Sequence, residues 1–179
     1  NRTDHSGTYG PGNRIETFAG CGYDTDSTGN VTQRSCPGDT TWFMWSAENG
    51  LTRYIAGSDT IDLHYDASGR LVRRDVNGSA VRHFLWDGAH LLAELNGAAT
   101  GKIAEYSYLG MDRLHALIVG NTVYYPHTDA MGNVIALTDS TSGSSAVKRT
   151  YDYDVWGGLK GGSDPLGLDA TDGRSAPRC

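Results

Sequence analysis

Tyr65-Asp66-Ala67-Ser68-Gly69-Arg70-Leu71 decides the fold, because the phrase it spells recurs along the chain. An aromatic residue opens it, a polar stretch follows, then Gly or Asn, then an aliphatic. The other close copy is Tyr153-Asp154-Val155-Trp156-Gly157-Gly158-Leu159. Looser copies run from Tyr9 to Ile15, Thr25 to Val31, Trp45 to Leu51, Trp86 to Leu92, Tyr108 to Leu114 and Thr128 to Val134. The eight copies start at 9, 25, 45, 65, 86, 108, 128 and 153, so the gaps run from 16 to 25 residues. Self-similarity at such a period marks a repeat architecture, in which each unit buries its apolar face only against its neighbours.

Within one copy the signals are those of paired strands. Thr60, Asp62 and His64 alternate with Ile61, Leu63 and Tyr65, the period-two pattern of a half-buried strand. Asp66 to Gly69 supplies a turn, in which Gly69 takes a positive φ without a Cβ clash. The return strand, Arg70 to Asp75, is expected to place Leu71 and Arg73 on one face and Val72 and Arg74 on the other. A second class of turn then closes the unit, at Asn77-Gly78, Asn96-Gly97, Gly120-Asn121 and Ser142-Gly143. Two turn classes in alternation predict an all-β antiparallel meander, coiling into a curved or spiralling sheet, with little or no α-helix. The aromatic heads are expected to stack as a ladder across strands. The repeat is defined by Tyr65, Asp66, Gly69, Trp86, Tyr108, Gly132, Tyr153, Asp154 and Gly157. About eight repeats fill residues 1–159, and a Gly/Asp/Ser-rich tail or connector fills 160–179.

Composition narrows the function. At 179 residues the chain is long enough to bury a real core as one unit. With 24 Gly and only 5 Pro it is rich in turns, and no apolar stretch approaches the length of a membrane span. A formal charge of −6 with no basic run beyond a pair such as Arg73-Arg74 weighs against nucleic acid, whose affinity is mostly phosphate neutralisation. The start, Asn1-Arg2-Thr3, resembles Asn13-Arg14 in mid-repeat, so the chain is expected to be a processed or partial product. Three cysteines are present. Cys21 and Cys36 bracket one repeat and are expected to close a disulfide loop of about 15 residues, worth roughly 3 kcal/mol; three reduced thiols are the alternative. Cys179 is then left over, for intermolecular pairing or as a free thiol.

The phrases Tyr65-Asp66 with Gly69-Arg70-Leu71, Tyr153-Asp154 with Trp156-Gly157, and His127-Thr128-Asp129-Ala130-Met131-Gly132-Asn133-Val134 resemble the Rhs, or YD-repeat, family. The last of these, followed by Ala136-Leu137-Thr138-Asp139, is similar to the segment that leads into the family's C-terminal core. The resemblance covers Tyr9 to Leu159. It implies a secreted or surface-associated β-sheet shell, which wraps a cytotoxic cargo in bacterial toxins and forms a barrel in animal adhesion proteins. The family's Arg-Tyr-Tyr-Asp-Pro stretch does not appear after Trp156. Asp164-Pro165-Leu166-Gly167-Leu168 is similar to the element at which family members cut themselves, but it lies close to the last repeat and lacks the second Asp; a turn is expected there.

No residue pattern announces catalysis. The histidines, at 5, 64, 83, 90, 115 and 127, form no His-X-His or His-X3-His pair and are expected to be structural. Asp24 to Gly29 opens like a calcium loop, but its fifth position is Thr28 and its twelfth is Ser35, not Glu. Sequons lie at Asn1, Asn30 and Asn77, and Asn77 is expected at an accessible hairpin tip. The chain is therefore expected to be non-enzymatic, without cofactor or metal, and extracellular or on the cell surface. Three roles remain: a subunit that assembles with copies of itself into a fibre or sheath, a shell fragment of a toxin that encloses a cargo, and a carbohydrate-binding or adhesive module. The first is favoured here, because eight repeats make a short wall and an open sheet has two strand edges to satisfy. Tyr9 and Tyr153 would mark the edges. Leu166, Leu168 and Cys179 would tie one subunit to the next, with surface glycans such as those that stack on Trp42, Trp45, Trp86 or Trp156 as further partners.

Overall fold

A computed structural model describes residues 7–110, 113–141, 146–154 and 157. The chain divides between Val81 and Arg82 into two compact units. The expected tail, 160–179, with Leu166, Leu168 and Cys179, lies outside the described residues, as do His5, Trp156, Ser142-Gly143 and the Asp164-Pro165 element.

The first unit is built from β1 (Gly7–Tyr9), β2 (Ile15–Phe18), β3 (Cys21–Thr25), β4 (Val31–Cys36), β5 (Asp39–Trp45), β6 (Leu51–Ala56), β7 (Asp59–Tyr65) and β8 (Leu71–Val76). A single 3-10 turn, Pro11–Asn13, lies between β1 and β2. Each strand pairs antiparallel with the next, so spatial order is sequence order. β9 (Ser79–Asp87) begins in the first unit and lies in the second from Arg82 on. With β10 (His90–Asn96), β11 (Lys102–Tyr108), β12 (Leu114–Val119), β13 (Thr122–Thr128), β14 (Val134–Thr138) and β15 (Val147–Thr150) it forms the second meander, ordered in the same way. The all-β, helix-poor architecture read from periodicity is what both units adopt: no α-helix occurs among the described residues.

Each repeat phrase makes the same local object. In the first unit Asp66 N–H donates to the Arg70 carbonyl at 2.9 Å, and Gly69 N–H donates to the Asp66 carbonyl at 3.0 Å. Gly69 sits at φ +78, where a Cβ would be strained. One residue of the return strand is then skipped. Tyr65 partners Leu71 while His64 partners Arg73, so Val72 is a β-bulge. Glu16, Thr32 and Thr52 are skipped likewise in the first unit, and Leu92, His115 and Ile135 in the second. The bulge breaks strict alternation and corrects the expected facing. Leu71 sits opposite Tyr65 and Arg73 opposite His64, and successive residues of β7 point to opposite faces, so Leu71 and Arg73 do not share one.

The two turn classes are present, but two of them are exchanged. Asn96-Gly97 is not a tight hairpin; it opens a loop in which Asn96 N–H donates to Gly101 O at 2.9 Å and the positive φ falls on Ala99. The Trp86 phrase, conversely, closes in two residues: Asp87 pairs with His90 around Gly88, at φ +55. The Asn96 side chain explains the first exchange, since its Oδ1 accepts from the N–H groups of Thr100 and Gly101 at 3.0 and 3.2 Å and holds the wider loop open.

The core is thinner than the chain's length suggests. No large side chain is fully buried among the described residues. The buried apolar ones are Ile61 in the first unit and Ala93, Ala104, Ala116, Leu117 and Leu137 in the second, three of them alanines. Within each unit nearest-neighbour pairing fills the strand ladder, so the described residues bury few large side chains. In the first unit one face carries an apolar cross-strand row, Phe43–Tyr54–Ile61–Val76, and the opposite face a row that turns from Met44 to the charged Arg53–Asp62–Asp75.

Candidate functional site

The tyrosine and the aspartate of the repeat phrase have separate tasks. The Asp66 carboxylate is a turn clamp: Oδ1 accepts from Ser68 N–H at 2.8 Å and Arg70 N–H at 3.0 Å, and Oδ2 accepts from the Arg70 guanidinium at 2.7 Å. Asp26 clamps Thr28 and Asn30, and Asp129 clamps Met131 and Asn133, in the same way. Ser46 does it with a hydroxyl. These bonds favour the charged form. The Thr28 hydroxyl, ahead of the Asn30 bonds, lowers the Asp26 carboxyl to about 2, and the Arg70 and Asn133 side chains lower those of Asp66 and Asp129. The stretch that opens like a calcium loop therefore spends its Asp26 carboxylate on its own backbone.

The aromatic head reaches backwards. Trp45 Nε1–H donates to the Val31 carbonyl at 2.8 Å, Tyr65 O–H to Leu51 O at 2.9 Å, and Tyr153 O–H to Val134 O at 2.7 Å. Each accepting residue opens the return strand of an earlier phrase, next to its bulge, where the ladder is interrupted. The heads Trp45 and Tyr65 are thus joined to the preceding hairpin by a polar bond, not by the expected ring-on-ring ladder. Tyr153, proposed from sequence as an edge residue, is engaged within its own chain and stacks on Tyr151 at 6.4 Å. Tyr9 lies in β1, opposite Ile15.

Polar side chains also tie successive turns together. Arg14 donates to the carbonyls of Asp26 and Ser27 at 3.0 and 2.6 Å, and Asn30 Nδ2 donates to Asn49 Oδ1 at 2.8 Å. At the opposite ends of the strands the Sγ atoms of Cys21 and Cys36 are bonded to one another across β3 and β4. Asn77 is exposed, but its amide is occupied: it donates to Asp59 Oδ1 and accepts from Thr60 N–H, both at 2.9 Å.

Two charged clusters escaped the reading of the sequence. On the polar face of the first unit, His64 Nε2 and Arg73 Nη2 both lie 3.0 Å from Asp75 Oδ2. Burial alone would raise the Asp75 carboxyl, but the His64 and Arg73 bonds outweigh it and hold it below the usual range. In the second unit Arg82 donates to Glu94 Oε2 and the Tyr106 hydroxyl to Oε1, each at 2.6 Å. Burial, then the Glu94 bond, pushes the Tyr106 phenol up. Neither cluster has a sequence signal, because its members come from strands that meet only on pairing. Of the other described histidines, His83 meets Gly97 O at 3.2 Å, His90 stacks on Tyr108, His115 lies edge-on to Tyr125, and His127 meets Thr138 Oγ1 at 2.9 Å.

The chain that carries these repeats is similar to known proteins. The pattern that defines the teneurin YD-shell family matches residues 1–166. The chain belongs to the YD-shell family. Among curated relatives, the tRNA3(Ser)-specific nuclease WapA of Bacillus spizizenii is 33% identical over 119 residues, 64% of this chain and 5% of the relative. The tRNA nuclease WapA of Bacillus subtilis strain 168 is 32% identical over the same shares. The chain thus spans about 5% of the length of these relatives. A crystal structure of TcdB2-TccC3-TEV shares the fold, with a TM-score of 0.52 and 16% identity over 87% of this chain and 10% of that one.

YD-shell membership places the chain with secreted or cell-surface proteins, as the sequence suggested. It also corrects the expected partners. The matched family is a shell, and the matched structure joins TcdB2 to TccC3. Copies of the chain itself and surface glycans are therefore withdrawn as partners. An unpaired strand edge accepts any strand and does not select one from an identical chain.

Proposed function

We propose that the chain is a section of wall in a YD-repeat shell that encloses a polypeptide cargo in a secreted toxin. The observation that carries this reading is the match of a shell family to residues 1–166. The architecture supports it. Strands laid down in sequence order, each paired with the next, extend a wall repeat by repeat. In this reading the section itself is not the catalyst. The relatives that share it are named as nucleases, but the shared stretch is a twentieth of their length and consists of repeats here. Residues 1–159 are its repeats and 160–179 a connector.

Limited proteolysis of the polypeptide in which this section naturally occurs tests the proposal. The enclosed segment should survive protease concentrations that degrade the same segment expressed alone. Equal degradation in the two settings overturns the shell reading.

A further inference from the structure

The second unit contains a gap in its strand ladder. β12 and β13 pair only at Leu117–Tyr124, Ile118–Val123 and Val119–Thr122. β12 nevertheless begins at Leu114, and β13 runs on to Thr128. The ladder stops short of Pro126, which has no N–H to contribute, and beyond it β13 registers with β14. His115 is also the residue skipped between β11 and β12, which loosens the same end of β12 on its other side.

The parted ends form a cleft lined by Arg113, Leu114, His115, Pro126, His127 and Thr128. Its chemistry is one-sided. Arg113 is exposed, and its guanidinium has no hydrogen-bond or ion-pair partner among the described residues, whereas Arg34, Arg53, Arg73 and Arg82 each meet a carboxylate. His115 carries a ring N–H in either tautomer, His127, whose Nε2 meets Thr138 Oγ1 at 2.9 Å, retains Nδ1, and Thr128 adds a hydroxyl. Among the described residues no carboxylate lines the cleft. Asp129, next to Thr128, is turned into its own clamp on Met131 and Asn133.

We infer that this cleft is a binding site for a phosphate-class oxyanion, with Arg113 as the charged anchor. The planar guanidinium matches two oxygens of such an anion, and the imidazoles and the hydroxyl supply donors from the flanking strand ends. Pro126 is the residue that keeps the cleft open, because a residue with an N–H would let the ladder run on toward His115.

The test is titration of the 179-residue chain with inorganic phosphate at constant ionic strength, following the imidazole C–H resonances of His115 and His127 by NMR. The resonances of His64 and His83 serve as internal controls. Saturable shifts confined to His115 and His127, at least about tenfold weaker in Arg113→Gln, are expected for loss of one charge-assisted pair. Since the Arg113 side chain touches no described partner, Arg113→Gln should keep the wild-type amide spectrum. Pro126→Val, which restores an N–H, should weaken phosphate as well. Shifts that do not saturate, affinity unchanged in Arg113→Gln, or acetate binding as tightly as phosphate would each overturn the assignment.

Discussion

The Tyr65 hydroxyl donates to the main-chain carbonyl of Leu51 at 2.9 Å, joining one hairpin to the hairpin before it. Trp45 does the same to Val31 with an indole N–H. Ring and turn, adjacent in sequence, serve successive junctions: Asp66 shapes the turn beside the Val72 bulge, whereas Tyr65 satisfies the carbonyl beside the Thr52 bulge of the hairpin before.

Removing the tether while keeping the ring isolates this bond. Tyr65→Phe should cost about 1 kcal/mol, the usual net worth of a hydrogen bond, in equilibrium urea unfolding. Leu51 O then depends on water, which can reach it because Tyr65 is 39% exposed. A variant as stable as wild type would show that packing alone holds the hairpins together.

The turn glycine is required for its backbone, not for space. A Cβ on Gly69 would meet nothing within 4 Å, yet φ is +78. Gly69→Ala should therefore destabilise by about 1–2 kcal/mol, the cost of the left-handed region for an ordinary residue. Gly69→Asn should cost less, as Asn49 and Asn77 already sit at φ +60 and +51. Thermal unfolding of the two variants orders them.

Acid should loosen the turns as pH falls below about 4. The Asp26 carboxyl is lowered in the folded state to about 2 from its usual 3.8. A depressed folded value means that its stabilising contribution is complete above about pH 4 and is lost as pH falls toward 2. Asp66, Asp75, Asp129 and Asp139 are lowered as well and act in the same direction. Asp26→Asn keeps an acceptor oxygen but no longer titrates, so its stability should fall less steeply over that interval in a pH series of thermal melts.

Glu94 is buried between two partners, and its loss should be the costliest single change among these. Glu94→Ala leaves the Arg82 guanidinium without its carboxylate and the Tyr106 hydroxyl without its acceptor, for about 3 kcal/mol or more. Tyr106→Phe removes only one bond, and should cost about 1–2 kcal/mol. Chemical denaturation of the two variants gives the ratio.

Breaking the Cys21–Cys36 bond frees a loop with a sequence separation of 15. Loss of up to about 3 kcal/mol is expected for the Cys21→Ser, Cys36→Ser double variant, chiefly through a less constrained unfolded chain. Differential scanning calorimetry with and without reductant should give the same midpoint shift in wild type that the double variant shows without it.

The sequence by itself determined the strands, their order and the clamp turns. Those depend on neighbours a few residues apart: period-two alternation, an Asp or Ser acceptor, and a Gly or Asn that tolerates positive φ, all visible in Tyr65 to Leu71. Only the tertiary structure decided what lies between hairpins. The skipped residue at Val72, the reach of Tyr65 to Leu51, the exchange of turn classes at Gly88 and Asn96, and the meeting of Arg82, Glu94 and Tyr106 all require a partner strand to be in register. A carbonyl left over by a bulge has no residue type of its own, so nothing in the sequence marks Leu51 as the acceptor. The thin core has the same origin: apolar alternation shows that one face of a strand seeks cover, but what covers it is settled by which strands pair and whether a second layer forms.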